Sequence, residues 1–226
     1  MTYYDVLEPE RCGGRDFDFL LARGWYPMRQ TIFTTSHLFG LEDQPARRVH
    51  WLRYPVEKIA EKASHRRILR KNEQFETVLF DPFVHSEELD QLYSVYYDSI
   101  EFDGYPSVSR ATYDREEGNI YDTKAWVVRD EGRAVACGIF HVGQLSLASI
   151  LHFFDPEYGR YSPGKYLILK TLEYARARGM NWYYPGYIIE GDHKMDYKLF
   201  LGRDTVQYYD PRPHPLNGSW RSRPGN

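Results

Sequence analysis

Residues 152–198 read HFFDPEYGRYSPGKYLILKTLEYARARGMNWYYPGYIIEGDHKMDYK. The apolar run leading into them, residues 145–154, stops at Asp155-Pro156, a pair that starts turns. Ser162-Pro163-Gly164 then breaks the chain again. Ser162 suits a helix N-cap, and Pro163 suits the first helical position, where its missing N–H is no loss. From Lys165 onward Tyr166, Ile168, Leu169, Leu172 and Ala175 recur at helical spacing, and Gly179 supplies the stop. Trp182-Tyr183-Tyr184 opens a second strand, closed at Gly186-Tyr187 and followed by a polar loop at 190–194. Strand, turn, helix, strand makes one βαβ unit whose chemistry is expected at its turns.

Working outward, residues 124–129, 133–142 and 145–154 form consecutive strands, with hairpin turns at Asp130-Glu131-Gly132 and Gly143-Gln144. Together with the βαβ unit they predict an α+β fold: a mixed, mainly antiparallel sheet flanked by helices. Before them lie a strand at 75–80, a helix from Ser86 with Leu89, Leu92, Tyr93 and Tyr96 on one face, and an acidic loop at 101–119. That loop holds at most one short helix after Ser109, and its Tyr105 and Tyr113 either border an acceptor site or are ordinary loop tyrosines. Residues 1–60 read as a small N-terminal α/β lobe, with a helix at 16–23, a hairpin at 25–39 and a strand at 47–54. A larger domain then spans 61–209, and 210–226 is a Pro-rich, irregular tail.

Between lobe and domain, Lys62, Arg66, Arg67, Arg70 and Lys71 place cations along one side of a predicted helix ending at Asn72. Such a row is either a solvated face or a ridge that holds phosphates. The protein as a whole carries a net charge of −3, which argues against indiscriminate RNA binding and leaves room for a local basic patch. Its 42% hydrophobic and 27% charged residues are those of a folded domain. Tyrosine is abundant, at 20 residues, for a packed core or for a surface on which bases stack. Two cysteines, Cys12 and Cys137, make neither a disulfide framework nor a metal site, so no metal is expected. No leader or spanning run is evident, and the expected compartment is the cytoplasm, with no membrane partner.

The distal stretch resembles the C-terminal region of the arginyl-tRNA–protein transferases and their bacterial leucyl-transferring relatives. Phe154-Asp155-Pro156, Tyr158, Ser162, Gly164, Tyr166, Gly179, Gly186-Tyr187, Ile189, Lys194-Met195 and Tyr197-Lys198 carry the match. Ser64 to Asn72 resembles the same family's Ser-x-x-Arg-Arg segment, and Leu20 to Trp25 its N-terminal lobe. The family's cysteine cluster has no counterpart beyond Cys12, and His193 stands where a proline is usual. The resemblance implies a GNAT-like fold and transfer of an aminoacyl group from charged tRNA to an amine, with no cofactor beyond the tRNA co-substrate. The acceptor is a protein N-terminus, a peptide or a small molecule.

An aminoacyl ester is already activated, so the acceptor amine needs placement, deprotonation and help for the oxyanion. Asp155 is the candidate to orient or deprotonate the amine, its alternative being a turn residue. Ser162 and the amides near Gly164 and Lys165 are placed for a phosphate or oxyanion, or for simple capping. Tyr187 completes the candidate catalytic set. Arg66, Arg67, Arg70, Lys71 and Lys165 are expected to face tRNA, together with Lys194 and Lys198, one helical turn apart. Phe154, Tyr158, Gly164, Tyr166, Gly186, Met195 and Tyr197 are expected to wall the aminoacyl pocket. Asp192 and Asp196 favour a cationic donor such as arginine, or else are solvated or paired with Lys194 and Lys198 while Met195 and the tyrosines take a leucine-like group. The runner-up is an acyl-CoA-dependent transferase, weakened because Arg160 to Lys165 misplaces the first pyrophosphate glycine and lacks the second. A non-catalytic tRNA-binding module is the third reading.

Overall fold

The computed structural model describes residues 2–38, 46–100, 105–112, 118–212 and 217–222. In chain order its elements are β1 (Tyr4–Leu7), α1 (Gly14–Leu21), β2 (Tyr26–Met28), β3 (Thr31–Thr35), β4 (His37–Leu38), β5 (Arg47–Pro55), α2 (Ala63–Asn72), β6 (Glu76–Phe80), α3 (Glu87–Asp98) and α4 (Val108–Thr112). There follow β7 (Thr123–Asp130), β8 (Arg133–Val142), β9 (Ser146–Phe154), α5 (Pro163–Ala177), β10 (Trp182–Ile189), β11 (Gln207–Asp210) and β12 (Ser219–Ser222). Short 3-10 helices occupy Val56–Lys58, Pro156–Tyr161 and His193–Leu199.

The large sheet runs β12-β11-β5-β10-β9-β8-β7-β6, with β4 also on β5, and a small sheet runs β1-β3-β2. Among the described strands only the β9–β10 pairing is parallel. This is the expected mixed, mainly antiparallel sheet flanked by helices. The β7–β8 hairpin turns at Glu131 and Gly132, with φ of 48° and 83°, as a two-residue turn matched to strand twist requires. One face is covered by α2 and α5, whose Leu167, Ile168, Leu169 and Leu172 are all buried in the core with Leu52, Tyr54, Phe140 and Tyr183. The N-terminal residues cover another region through a second core of Phe17, Leu21, Tyr26, Trp51 and Tyr184.

Two expectations change. Strand β5, assigned from sequence to the small lobe, pairs antiparallel with β10 from Val49 to Pro55 and is a central strand of the large sheet. The tail is not wholly irregular, because β12 pairs with β11 through Ser219 to Ser222. The β5–β10 pairing leaves no local mark in sequence, since it joins segments more than 100 residues apart, whereas β11 and β12 form a local hairpin across a Pro-rich connection. The short helix α4 begins at Val108. Tyr113 and the end of the expected 25–39 hairpin lie outside the described residues. Among the described residues no helix is long and apolar enough to cross a membrane.

Strands β9 and β10 hold the key to the site. They pair only at Trp182–Ser146, Tyr183–Leu147 and Tyr184–Ala148, and then separate. Pro185 has no N–H to donate to the ladder, and Gly186 adopts φ of 94°, a conformation that a side chain resists. On its other edge β10 stays on β5, with a register shift between Tyr183 and Gly186. The sheet therefore opens at the carboxyl ends of its two parallel strands, where ligands of open α/β sheets bind.

Candidate functional site

The opening between β9 and β10 is a cavity of about 300 Å³. Ser149, Leu151 and His152 of β9 line one side, and Tyr183, Pro185, Gly186 and Tyr187 of β10 line the other. Tyr26, Met28, Arg29 and Phe33 close it from the N-terminal residues, Tyr105 and Ile168 contribute from the helical layers, and Tyr197 and Lys198 enter from the last 3-10 helix. The Tyr26 hydroxyl reaches across the gap, bonding the Ser149 carbonyl and lying 3.3 Å from the Tyr184 carbonyl oxygen. The Ser149 and Tyr183 hydroxyls are 2.7 Å apart. These bonds satisfy strand groups that the splay would otherwise strand in a buried place.

Lys198 is the cavity's unusual group. Its Nζ donates to the Tyr187 carbonyl at 2.8 Å and lies 5.0 Å from the Tyr187 ring centroid. A Cβ on Gly186 would sit 3.5 Å from this Nζ and from the Tyr26 phenol, in van der Waals contact with both. Burial away from water pushes the Lys198 ammonium down to about 8. His152 is wedged where a Cβ at Gly138 would meet both it and Leu167 at 3.1 Å. Burial first, and then the Lys198 charge, lower its pKa to about 4, so the ring is neutral at ordinary pH. Its Nε2 is buried without a hydrogen-bond partner. Burial raises the phenols of Tyr26, Tyr183 and Tyr187, and that of Tyr197 to about 12, so they act as neutral groups.

Of the sequence-predicted site residues, Gly186, Tyr187, Tyr197 and Lys198 meet in this cavity. Several others form a different cluster around the 3-10 helix before α5. There Asp155 is buried, its Oδ1 accepting from the Glu157 amide at 3.0 Å and its Oδ2 paired with Arg133 at 3.0 Å. Both carboxylate oxygens are engaged in a cap and an ion pair, away from the cavity lining. Ser162 does precede α5, but its backbone is left-handed (φ 56°, ψ 54°) and its hydroxyl caps nothing. The Tyr158 hydroxyl donates to Asp130 at 2.7 Å, Tyr166 bonds Thr77 at 2.9 Å, and Gly164 lies against the Phe154 ring. These four pack the start of α5 and do not line the cavity.

The loop after β10 also differs from expectation. Lys194 and Lys198 lie on a 3-10 helix, three residues per turn, so their spacing of four does not align them. Lys198 turns into the cavity while Lys194 is exposed. Asp192 caps this helix through the Lys194 amide at 3.0 Å and pairs with Arg47 at 3.4 Å. Asp196 pairs with Arg203 at 3.0 Å and His193 at 3.5 Å. Neither carboxylate lines the cavity, nor does Met195. Gly191, at φ 79°, turns the chain after β10, and the carboxylates beyond it meet Arg47 of β5 and Arg203 instead of the cavity.

The cationic row is on α2. His65, Ile68 and Asn72 are buried, whereas Arg66, Arg67, Arg70 and Lys71 are exposed. Asn72 donates to the Ile68 carbonyl at 2.9 Å and the Tyr161 carbonyl at 3.0 Å, fastening α2 to the approach of α5. The row connects to the cavity wall through Phe200, whose ring is 4.7 Å from that of His65 and 5.5 Å from Lys165 Nζ. Phe200 is two residues beyond Lys198.

Sequence reasoning missed the contribution of Tyr26, Arg29, Ser149 and Pro185. Pro185-Gly186 inside a strand was the legible sign of a splay. Tyr26 lies over 100 residues from its partners and carries no local sign. Among the described residues no three His, Cys, Asp or Glu side chains converge as metal ligands.

A family model described as "Arginine-tRNA-protein transferase, C terminus" matches residues 70–205. The chain is 30% identical over 179 residues to an aspartate/glutamate leucyltransferase of Aeromonas hydrophila subsp. hydrophila, covering 76% of this chain and 68% of that protein. It is 30% identical over 198 residues to the enzyme of the same name from Methylorubrum populi, covering 81% and 77%. Arginyl-tRNA–protein transferase 1 of Saccharomyces cerevisiae is 29% identical over 86 residues, covering 38% of this chain and 17% of that protein.

Proposed function

The chain belongs to the arginine-tRNA–protein transferase family and is a transferase, and from that premise we propose that it moves an apolar aminoacyl group, leucyl or one like it, from charged tRNA to the amino terminus of a protein or peptide. The observation that carries this reading is the cavity between β9 and β10. Among its described lining residues are aromatic and apolar side chains and two cations, Arg29 and Lys198, with no carboxylate. An aliphatic side chain buried there gains about 1.5–3 kcal/mol, while a guanidinium or ammonium meets like charge and no counter-ion. The earlier preference for a cationic donor rested on Asp192 and Asp196, both engaged with Arg47 and Arg203 outside the cavity. The same two cations suit an acceptor that begins with an acidic residue, in keeping with the names of the leucyl-transferring relatives.

The tRNA then lies along α2, with Arg66, Arg67, Arg70 and Lys71 on its phosphates and its 3′ end led past Lys165 and Phe200 into the cavity. Asp155, Ser162, Tyr158 and Tyr166 serve the reaction by fixing the start of α5 rather than by touching substrate. The test is a transfer assay in which purified protein, leucyl-tRNA and a peptide with an N-terminal Asp or Glu are mixed and the peptide's mass is followed. One added leucyl residue is expected only when all three are present. Reversing charge at Arg66 and Arg67 should raise the KM for tRNA at least tenfold and leave peptide KM unchanged. Acyl transfer from acetyl-CoA without tRNA would replace this reading with the CoA-dependent one.

A further inference from the structure

We propose that Lys198 is a catalytic residue: its uncharged amine takes the proton from the attacking amine nitrogen and returns it to the departing ribose oxygen. This deepens the reading above and rests on it. Three features of geometry converge on the assignment. The side chain ends inside the cavity at the mouth of the splay, not at the surface. Its Nζ donates to the Tyr187 carbonyl at 2.8 Å, which anchors the side-chain end beside the cavity that Lys198 lines. Gly186, held at φ 94°, brings the β10 backbone into van der Waals reach of the Nζ, 3.5 Å from where its Cβ would stand.

The groups that face Lys198 are Tyr183 and Tyr187 from β10, His152 from β9, Tyr26 from β2, Arg29 from the turn after it, Tyr105, and Tyr197 beside it. No carboxylate is among these described residues, so none of them is a counter-ion for the ammonium. A structural lysine in such a place is ordinarily ion-paired, as Lys124 is with Asp81 and Asp122. Burial brings the Lys198 pKa to about 8, which lets a sizeable fraction stay uncharged near neutral pH. His152, at about 4, is too weak a base for an amine, and the buried phenols hold their protons.

The step balances without any further reactant. A neutral amine attacks the ester carbonyl carbon, and its N–H proton passes to the Lys198 amine as the C–N bond forms. The tetrahedral intermediate collapses, the C–O bond to the terminal ribose breaks, and the Lys198 ammonium protonates the leaving oxygen. The products are an amide, a free tRNA hydroxyl and a neutral lysine. The Tyr187 carbonyl and ring stabilise the transient ammonium.

The test uses the whole protein and an acceptor peptide whose N-terminal amine is replaced by an acyl hydrazide as its only nucleophile, a nitrogen that stays neutral across the range examined. As a proton acceptor, Lys198 makes kcat/KM fall about tenfold per pH unit below about 8. A lysine that acted instead as a cation, on the oxyanion or on a phosphate, would make the rate fall as pH rises past that value. Lys198→Arg keeps the charge and cannot act as a base, so transfer should drop at least 100-fold with tRNA binding unchanged. A rate that declines with rising pH, or an active Lys198→Arg protein, overturns the assignment while leaving the transferase reading intact. A wild type that transfers from no charged tRNA removes both.

Discussion

Leucyl-tRNA should be used at least about 100-fold better than arginyl-tRNA, measured as the ratio of kcat/KM in one competition mixture. A leucyl side chain gains from burial against Tyr26, Phe33, Ile168 and Tyr183. An arginyl side chain forfeits its hydration and faces Arg29 and Lys198. Two of the ring faces it might use are already occupied, because Lys198 lies over Tyr187 at 5.0 Å and Arg29 over Tyr105 at 4.6 Å. A difference of about 3 kcal/mol is a modest sum of those terms and already corresponds to about 100-fold. Equal use of the two donors would mean that the side chain binds somewhere other than this cavity.

Gly186→Val should lower kcat/KM by at least about 100-fold and destabilise the protein by about 2–3 kcal/mol. Two causes act together. At φ 94° a β-branched residue carries backbone strain of about 1–3 kcal/mol. Its Cβ starts 3.5 Å from Lys198 Nζ and from the Tyr26 hydroxyl, so the added methyl groups occupy the space that both now hold. Displacing Tyr26 also removes the bonds that bridge the splayed strands. Gly191→Val separates the causes. It has a comparable φ of 79° but meets nothing within 4 Å, so it should lose stability and keep activity. Thermal unfolding and initial rates on the two variants decide the matter, and equal activity losses would show that strain alone is responsible.

Much of the central architecture was legible because its signals are local. The 145–154 run, the Ser162-Pro163 break, the helical spacing from Tyr166 and the stop at Gly179 correspond to β9, α5 and the approach to β10. The cations of α2 were legible for the same reason: Ile68 and Asn72 at one face require Arg66, Arg67 and Lys71 at others. What could not be read depends on distant parts of the chain. Strand β5 joins β10 across more than 100 residues, and Tyr26 bridges β9 and β10 from the N-terminal sheet. Asp155 is a candidate from its place at a strand end before the helix, and only Arg133, on the neighbouring strand, reveals what holds it. Lys198 was placed on phosphate because a helix of 3.6 residues per turn was assumed. The 3-10 geometry turns it inward instead.

The central claim is that the aminoacyl group enters the opening between β9 and β10. A photoreactive leucine analogue, joined to tRNA by a stable amide, tests it most directly through cross-linking and peptide mapping. Adducts are predicted on the peptides that contain Ser149 to His152, Pro185 to Tyr187 and Tyr197, and excess unlabelled leucyl-tRNA should suppress them. Adducts confined to the start of α5 around Ser162, or to the outer cavity around Arg48 and Tyr208, would contradict it.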